Sequence, residues 1–334
     1  MRMRLYPLSS RSLCLLESGL RNLGYRFQTM ENLIRDWKTI PSMEARVRPL
    51  RKDDIDDVLA ISKQIWHGHD YVPGVIEDWL KDPNSYTIGV VVDGTLIGIS
   101  NLRLIENGKT GWMEGLRVHP DYRGQGYANL LTDGLVEHAI SVGVPRLRYT
   151  TVVENKASMA LASRAGLEEV FRMIVFWAEI PGSIDERQSI AIDQVSAEEI
   201  IESMDEYAGI MPAPIIVYDW KAKDLTAESL RELGEDRSFW ETKIDTGRAL
   251  SFGGHRYEES EDAWSCTVYS NDEDLAEAHM LHHLRIAKSK GLTTVVVILN
   301  RKFQQLVEEL SWLEETERFR EVVLMERKLR DHSD

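Results

Sequence analysis

Cysteine is nearly absent from this chain: Cys14 and Cys266 are the only two in 334 residues, and neither belongs to a CxxC pair or a Cys/His cluster. That excludes a disulfide-stapled fold and a thiolate zinc site, and it suits a protein of a reducing, cytoplasmic compartment. Long apolar runs are missing as well. None approaches the roughly 20 residues that cross a bilayer. There is also no basic excess, since 40 Lys and Arg stand against 55 Asp and Glu, a formal charge of −15. Nucleic-acid binding is driven by cations meeting phosphates, so neither nucleic acid nor an anionic membrane is an expected partner. The deficit is uneven: residues 1–182 hold 22 basic and 22 acidic groups, whereas residues 183–334 hold 18 and 33.

What is present is ordinary globular material, 43% apolar and 28% charged, in a chain long enough for two cores of usual size. Residues 1–45 read as an N-terminal extension. Its first 30 residues carry Arg2, Arg4, Arg11, Arg21 and Arg26 against one acid, Glu17, a composition shared with organelle transit peptides. From Arg46 the periodicity predicts a strand, a helix through Ile55, Val58 and Leu59, and a second helix around Ile76–Leu80. Strands Tyr86–Val92, Thr95–Leu104 and Gly111–Val118 follow, joined by Asp93-Gly94 and Asn107-Gly108, dipeptides that suit tight antiparallel hairpins. A helix over Gln125–Val142, a strand over Arg146–Val153, a helix near Lys156–Arg164 and a strand near Val170–Ala178 complete a mixed α/β unit, bounded by Ile180-Pro181-Gly182. The order of elements from 111 to 178 recurs from 263 to 329, which predicts two copies of one fold, 46–182 and 183–334.

The chemically informative segment is Glu114-Gly115-Leu116-Arg117-Val118-His119-Pro120-Asp121-Tyr122-Arg123-Gly124-Gln125-Gly126-Tyr127-Ala128, where a strand feeds a glycine loop that opens into a helix. Backbone N–H groups at a helix start lack internal partners and sit at the positive end of the helix dipole, so they form an anion site. Arg123 adds a charged donor. A dinucleotide fingerprint would need a third glycine where Asn129 stands, and an ATP-type P-loop would need Gly-Lys-Ser/Thr.

The R-x-x-G-x-G/A pattern Arg123-Gly124-Gln125-Gly126-Tyr127-Ala128 resembles the pyrophosphate loop of the GNAT acetyltransferase superfamily. Asn155-x-x-Ser158-x-x-Leu161 with Ala165-Gly166-Leu167 is similar to that family's downstream segment. The resemblance implies an acetyl-CoA enzyme of mixed-sheet GNAT fold in which strands 111–118 and 146–153 splay. Leu116, Arg117 and Val118 would then meet the pantetheine arm, residues 123–128 the phosphates, and Asn155 and Ser158 the cofactor's further contacts. It also implies a Glu as general base. Glu114 lies two residues before Leu116, so strand alternation places it on one face with Leu116 and Val118; a structural carboxylate paired with an arginine is the alternative. The family's usual acid, a Tyr, is replaced by Ala162, with Ser158 and Tyr127 as candidate substitutes. Neither cysteine belongs to the motif, so direct attack is expected rather than an acyl-enzyme.

In such a fold the loop Trp66-His67-Gly68-His69-Asp70-Tyr71 would border the acceptor, with Asp70 holding a cationic group and Trp66 and Tyr71 walling a planar one. This loop, Trp79-Leu80-x-Asp82-Pro83, and Asp219-Trp220 with the Leu225–Leu233 helix resemble the histidine N-acetyltransferase group. That likeness makes a small-molecule amine, such as a free amino acid, the expected acceptor. A protein or peptide acetyltransferase and a non-catalytic acyl-CoA sensor remain as rivals. The second half has Asn271-Asp272-Glu273-Asp274 where phosphate would need donors, so it is expected to be a degenerate copy that does not bind CoA. His279, His282 and His283 have a spacing that could hold zinc, but with no further ligand in view they read as a solvated helix face, and no metal is expected. The chain is expected to be a monomer or homodimer.

Overall fold

The structure is a computed structural model and describes residues 45–65, 68–182, 184, 190–256, 262–310 and 319–329. Cys14, Trp66, His67 and residues 1–44 lie outside the described residues. The first half runs β1 (Arg46–Pro49), α1 (Ile55–Ser62), α2 (Val72–Lys81), β2 (Ser85–Val92), β3 (Thr95–Ile105), β4 (Thr110–Val118), α3 (Tyr127–Ser141), β5 (Arg146–Val152), α4 (Lys156–Arg164) and β6 (Glu168–Glu179). The second half runs β7 (Asp193–Val195), α5 (Ala197–Glu202), α6 (Met204–Ala208), β8 (Ile215–Tyr218), β9 (Lys221–Asp224), α7 (Ala227–Asp236), β10 (Ser238–Lys243), β11 (Arg248–Arg256), β12 (Ala263–Ser270), α8 (Glu273–Ser289), β13 (Thr294–Asn300), α9 (Gln304–Glu309) and β14 (Arg320–Lys328). The series β4–α3–β5–α4–β6 and β12–α8–β13–α9–β14 therefore follow one order, as the repeat predicts. Asp93-Gly94 and Asn107-Gly108 take positive φ in the two hairpin turns, as expected of those dipeptides, and Glu106 does so as well.

One sheet of 12 strands crosses both halves in the order β1-β2-β3-β4-β5-β14-β6-β13-β12-β11-β10-β7. Strands β4–β5 and β12–β13 pair in parallel. The last strand of each half is exchanged: β14 inserts between β5 and β6, and β6 pairs with β13. Both exchanged strands are covered on two faces, which explains their near-continuous apolar runs. Phe171, Met173 and Val175 of β6 point into one core with Tyr207, Ile216 and Phe252, while Ile174, Phe176 and Ala178 point into another with Trp264, Leu284 and Val297. Each fully buried side chain of this size contributes roughly 1.5–3 kcal/mol, so the exchange ties the two halves together strongly.

Helix α8 corrects one expectation. His279 and His283 are completely buried rather than solvated. His279 lies between two hydroxyls, with Nδ1 2.7 Å from Ser251 Oγ and Nε2 3.1 Å from Thr242 Oγ1. The Trp264 indole donates to His283 Nδ1 at 3.0 Å. Two hydrogen bonds make the His279 imidazole tolerable in the core, whereas His283 has one and its Nε2 is buried with no partner among the described residues. Among the described residues, no group of three or more His, Cys, Asp and Glu is arranged to hold a metal.

Candidate active site

Parallel pairing between β4 and β5 covers only Thr110–Trp112 against Arg146–Arg148 and then stops. Beyond that point β4 follows β3, and β5 follows β14 as far as Val152. The two strands thus form a fork, the splay expected for segments 111–118 and 146–153. The β3–β4 register shifts inside it: Asn101 faces Glu114 and Ile99 faces Arg117, so three steps on β4 match two on β3. This is a one-residue bulge.

Gly115 is the residue that permits it. Its φ is +68°, and a Cβ there would come within 2.3 Å of the Trp79 ring; any side chain would meet both backbone strain and a clash. The bulge also corrects the alternation argument. Cross-strand neighbours share a face, so Glu114 lies with Arg117 rather than with Leu116 and Val118. Glu114 Oε1 accepts from Asn101 Nδ2 at 3.0 Å, and Arg103 Nε stands 3.4 Å from the same oxygen. Asn101 is completely buried and accepts from Thr87 Oγ1 at 2.9 Å, so the carboxylate hangs on a fixed chain of hydrogen bonds.

The Asp70 carboxylate is not presented to an acceptor. Its side chain is fully covered and grips Arg117, with Nη2–Oδ1 at 2.7 Å and Nε 3.1 Å from both oxygens. Arg117 in turn directs its guanidinium to Asp70 and to the Tyr71 ring, 5.1 Å from the centroid, so the Asp70 carboxylate is already committed to a cation of this chain. Burial pushes the Tyr71 phenol up to about 12, against the pull of the Arg117 charge. Tyr71 is therefore a neutral wall beside the bulge.

At the end of β4 the chain passes through a short 3-10 turn, Pro120–Tyr122, and residues 123–126 are exposed. Gly124 and Gly126 take φ of +76° and +88°, and nothing lies within 4 Å of where either Cβ would be. Gly126 caps α3 without a side-chain hydrogen bond, so the first N–H groups of the helix face outward. Arg123 Nε donates to the Val118 carbonyl at 3.1 Å and so ties the turn to β4. Gln125 Nε2 reaches the Asp121 carbonyl at 3.4 Å. The Tyr127 ring is buried and meets Tyr122 edge-on. Ala128 lies in the first turn of α3, where its carbonyl accepts from Thr132 Oγ1 at 2.9 Å.

Asn155 acts as the N-cap of α4, its Oδ1 accepting from the Ser158 N–H at 3.1 Å. Ser158 Oγ lies 2.9 Å from the hydroxyl of Tyr149 on β5, a residue that sequence reasoning passed over. Arg164 ties α4 to α3 through Asp133 at 2.5 Å.

The second half covers the other side of β5. Thr150 Oγ1 donates to the Trp220 carbonyl at 2.5 Å, Trp220 lies 6.2 Å from Trp177, and Asp224 holds Arg146 at 2.5 Å and Arg148 at 2.8 Å. A cavity of about 640 Å³ lies in this half, lined by Tyr218, Asp219, Lys223, Glu232 and Arg237 among others; Asp219 and the 225–233 helix, which carry part of the resemblance, border it, whereas Glu114 and the glycine turn 123–128 do not. Two ion pairs lie there, Arg237–Asp219 at 2.6 Å and Lys223–Glu232, while Asp219 Oδ1 is buried with no hydrogen-bond partner among the described residues. The fork, not this cavity, gathers the chemistry.

In the second copy, β12 and β13 stay paired from Ala263–Thr294 to Val268–Leu299, with no fork. Asp272 caps α8, accepting from the Leu275 N–H at 3.0 Å. No helix among the described residues is long and apolar enough to cross a membrane.

Comparison with known proteins agrees with this geometry. Residues 53–167 match the acetyltransferase (GNAT) family, and residues 185–300 match the C-terminal domain of histidine N-acetyltransferase. A histidine N-acetyltransferase from Scomber australasicus is 24% identical over 259 residues, covering 70% of this chain and 77% of that protein. An acetyltransferase from Yersinia pestis is 30% identical over 129 residues, 36% of this chain and 86% of that protein. Among solved structures, a GCN5-related N-acetyltransferase from Sphaerobacter thermophilus aligns with a TM-score of 0.58 at 14% identity, over 89% of this chain and 99% of that one. A tandem GNAT protein from the clavulanic acid biosynthesis pathway aligns at 0.53 and 13% identity, over 87% and 100%. With a forked strand pair, an open helix start and a second, closed copy of the same unit, the chain belongs to the GNAT acetyltransferase family and is an acetyltransferase.

Proposed function

We propose that this chain transfers an acetyl group from acetyl-CoA to the amine of a small free amino acid of the histidine type, in the cytoplasm. The observation that carries the reading is the placement of Glu114, at the bulge of β4 beside the fork. The donor's chemistry fits the residues present: Arg123 to Ala128 would hold its pyrophosphate, and Leu116 to Val118 would pair with its pantetheine arm. Acetyl-CoA supplies, when bound, an acetyl thioester activated toward amines.

The remaining work belongs to side chains of this chain. Glu114 takes the proton that an ammonium must lose before its nitrogen can attack, directly or through one water. Asn101 and Arg103 fix the direction of that carboxylate. Asp70 and Arg117 serve as a positioning pair that sets Tyr71 against the bulge. Holding the two reactants in register contributes several kcal/mol more. The hairpin β8–β9 packs on β5 through Trp220 and Asp224 and falls within the region matched to the C-terminal domain of histidine N-acetyltransferase, which supports a small amino acid as acceptor.

The test is thiol release from acetyl-CoA with a panel of amino acids, polyamines and peptides. Histidine or a close analogue is expected to be preferred; release with peptides alone would replace the acceptor class. Glu114→Gln is expected to lower kcat by about 100-fold or more with acetyl-CoA affinity retained, and an unchanged kcat would remove Glu114 from the mechanism.

A further inference from the structure

Ala162, where the resemblance implies a tyrosine, is buried and has no proton to give. Another hydroxyl stands at the fork. Trp112 and Arg148 form the last parallel pair, so Met113 and Tyr149 are the first residues past the branch on either strand. Both pack against one apolar cluster, Ala162, Ala165, Leu167, Val323 and Met325. They therefore share the α4 face of the sheet, opposite the face on which Glu114 meets Asn101. Tyr149 is largely buried, which raises its phenol above the usual range. Its oxygen lies 2.9 Å from Ser158 Oγ, and Ser158, in the first turn of α4, is half-exposed.

The direction of the strand fixes what would lie beside that phenol. β4 runs from the branch to the glycine turn, so an extended arm anchored at the turn and laid back along β4 brings its reactive end to the branch. We propose that Tyr149 is the proton donor to the departing sulfur, with Ser158 as its resupply. As the bond between carbonyl carbon and sulfur breaks, its electron pair stays on sulfur and the Tyr149 O–H proton moves there, giving the thiol. The phenolate regains a proton from solvent, relayed in one step through the Ser158 hydroxyl so that no alkoxide forms, while the amine's proton leaves through Glu114. Acid and base thus approach the reacting carbon from opposite faces of the sheet.

This inference rests on the acetyl-CoA reading above, and its test does not depend on turnover. Free CoA is bound to the wild-type chain and the ultraviolet absorbance of its thiolate is titrated. A phenol donating to sulfur stabilises the thiolate, so the bound thiol's pKa is expected to rise by about one unit in Tyr149→Phe. Tyrosine replaced by 3,5-difluorotyrosine at 149, isosteric and more acidic, is expected to lower it. In turnover, Tyr149→Phe is expected to lose roughly 10- to 100-fold in kcat with KM for acetyl-CoA unchanged, and adding Ala162→Tyr is expected to restore part of it. Equal thiol pKa values in wild type, Tyr149→Phe and the fluorinated protein would overturn the assignment alone. Failure of the wild-type chain to bind CoA would overturn it together with the reading beneath it.

Discussion

Two copies of one strand–helix–strand unit stand side by side here, β4–α3–β5 and β12–α8–β13, and they differ in two backbone features. In the first the parallel strands pair for three residues and part; in the second they pair for six. In the first the helix opens on Gly126, with its N–H groups facing outward, and in the second it is closed by the Asp272 carboxylate. Neither difference disturbs the core or the order of elements. On the proposed reading, such a unit can lack a cofactor site and keep its architecture, because the site would be built from what a strand edge and a helix end leave unsatisfied. The charge split follows the same line, since the balanced half keeps the open helix and the half with 18 basic and 33 acidic groups has the closed one.

The copies also differ inside, and this gives the largest predicted effect. Where α3 buries Leu131, Leu135 and Ala139, α8 buries His279 and His283. Burial pushes His279 down to about 3 and holds His283 well below its ordinary value, so both are neutral in the fold. An unfolded chain protonates its histidines near pH 6.5, so below that pH the unfolded state binds more protons. The stability contributed by neutral burial is complete above about pH 6.5 and falls as pH drops toward about 3. For His279 the loss between pH 7 and pH 5 is about 2 kcal/mol, and His283 adds to it in the same direction. Urea unfolding at the two pH values measures it, and His279→Gln with His283→Gln should flatten the dependence. Equal stability at both values would mean that these imidazoles are not buried neutral.

Next in size is a transplant of the closed end onto the open one. Gly126→Asp places a carboxylate where phosphate oxygens are expected and supplies the cap that Asp272 supplies to α8. The lost dipole interaction and charge-assisted N–H bonds come to about 3 kcal/mol, or roughly 100-fold in acetyl-CoA affinity. Gly126→Asn is the control, because it tolerates the left-handed conformation of residue 126 and brings no charge. Isothermal titration should show Asn binding well and Asp poorly. Equal weakening by both would assign the effect to backbone geometry and not to the anion site.

Much of this was legible in the residues, and the reason is locality. The turns at Asp93-Gly94 and Asn107-Gly108, and the passage from β4 through Arg123 and Gly126 into α3, are set by residues next to one another. The bulge was not, although its mark was visible: a glycine within a strand signals a bulge or a close approach, and only the packing of Trp79 on Gly115 tells which. The exchange of β6 and β14 was hidden because Val322–Met325 would suit any central strand, and the choice of neighbour is made across the whole chain. Tyr149 passed for ordinary strand material until the fork exposed its position. Residues 190–256 offered little, since β7, β8 and β9 are too short to show a period; the helix near Leu225–Leu233, observed as Ala227–Asp236, was the exception.

The smallest expected effect separates the two differences from each other. Asp272→Ala removes the α8 cap and should cost about 1 kcal/mol, the usual worth of an N-cap, read as a modest fall in melting temperature. It also frees N–H groups at the start of α8 and so restores, in the second copy, one of the two features that mark the first. If an open helix end were sufficient, the variant would gain a second acetyl-CoA site. Because β12 and β13 remain zipped from Ala263 to Val268, the arm would have no strand edge to lie along. The expected stoichiometry by titration is therefore unchanged from wild type. A second equivalent of bound acetyl-CoA in Asp272→Ala would show that the fork is dispensable and that the helix end alone divides the working copy from the silent one.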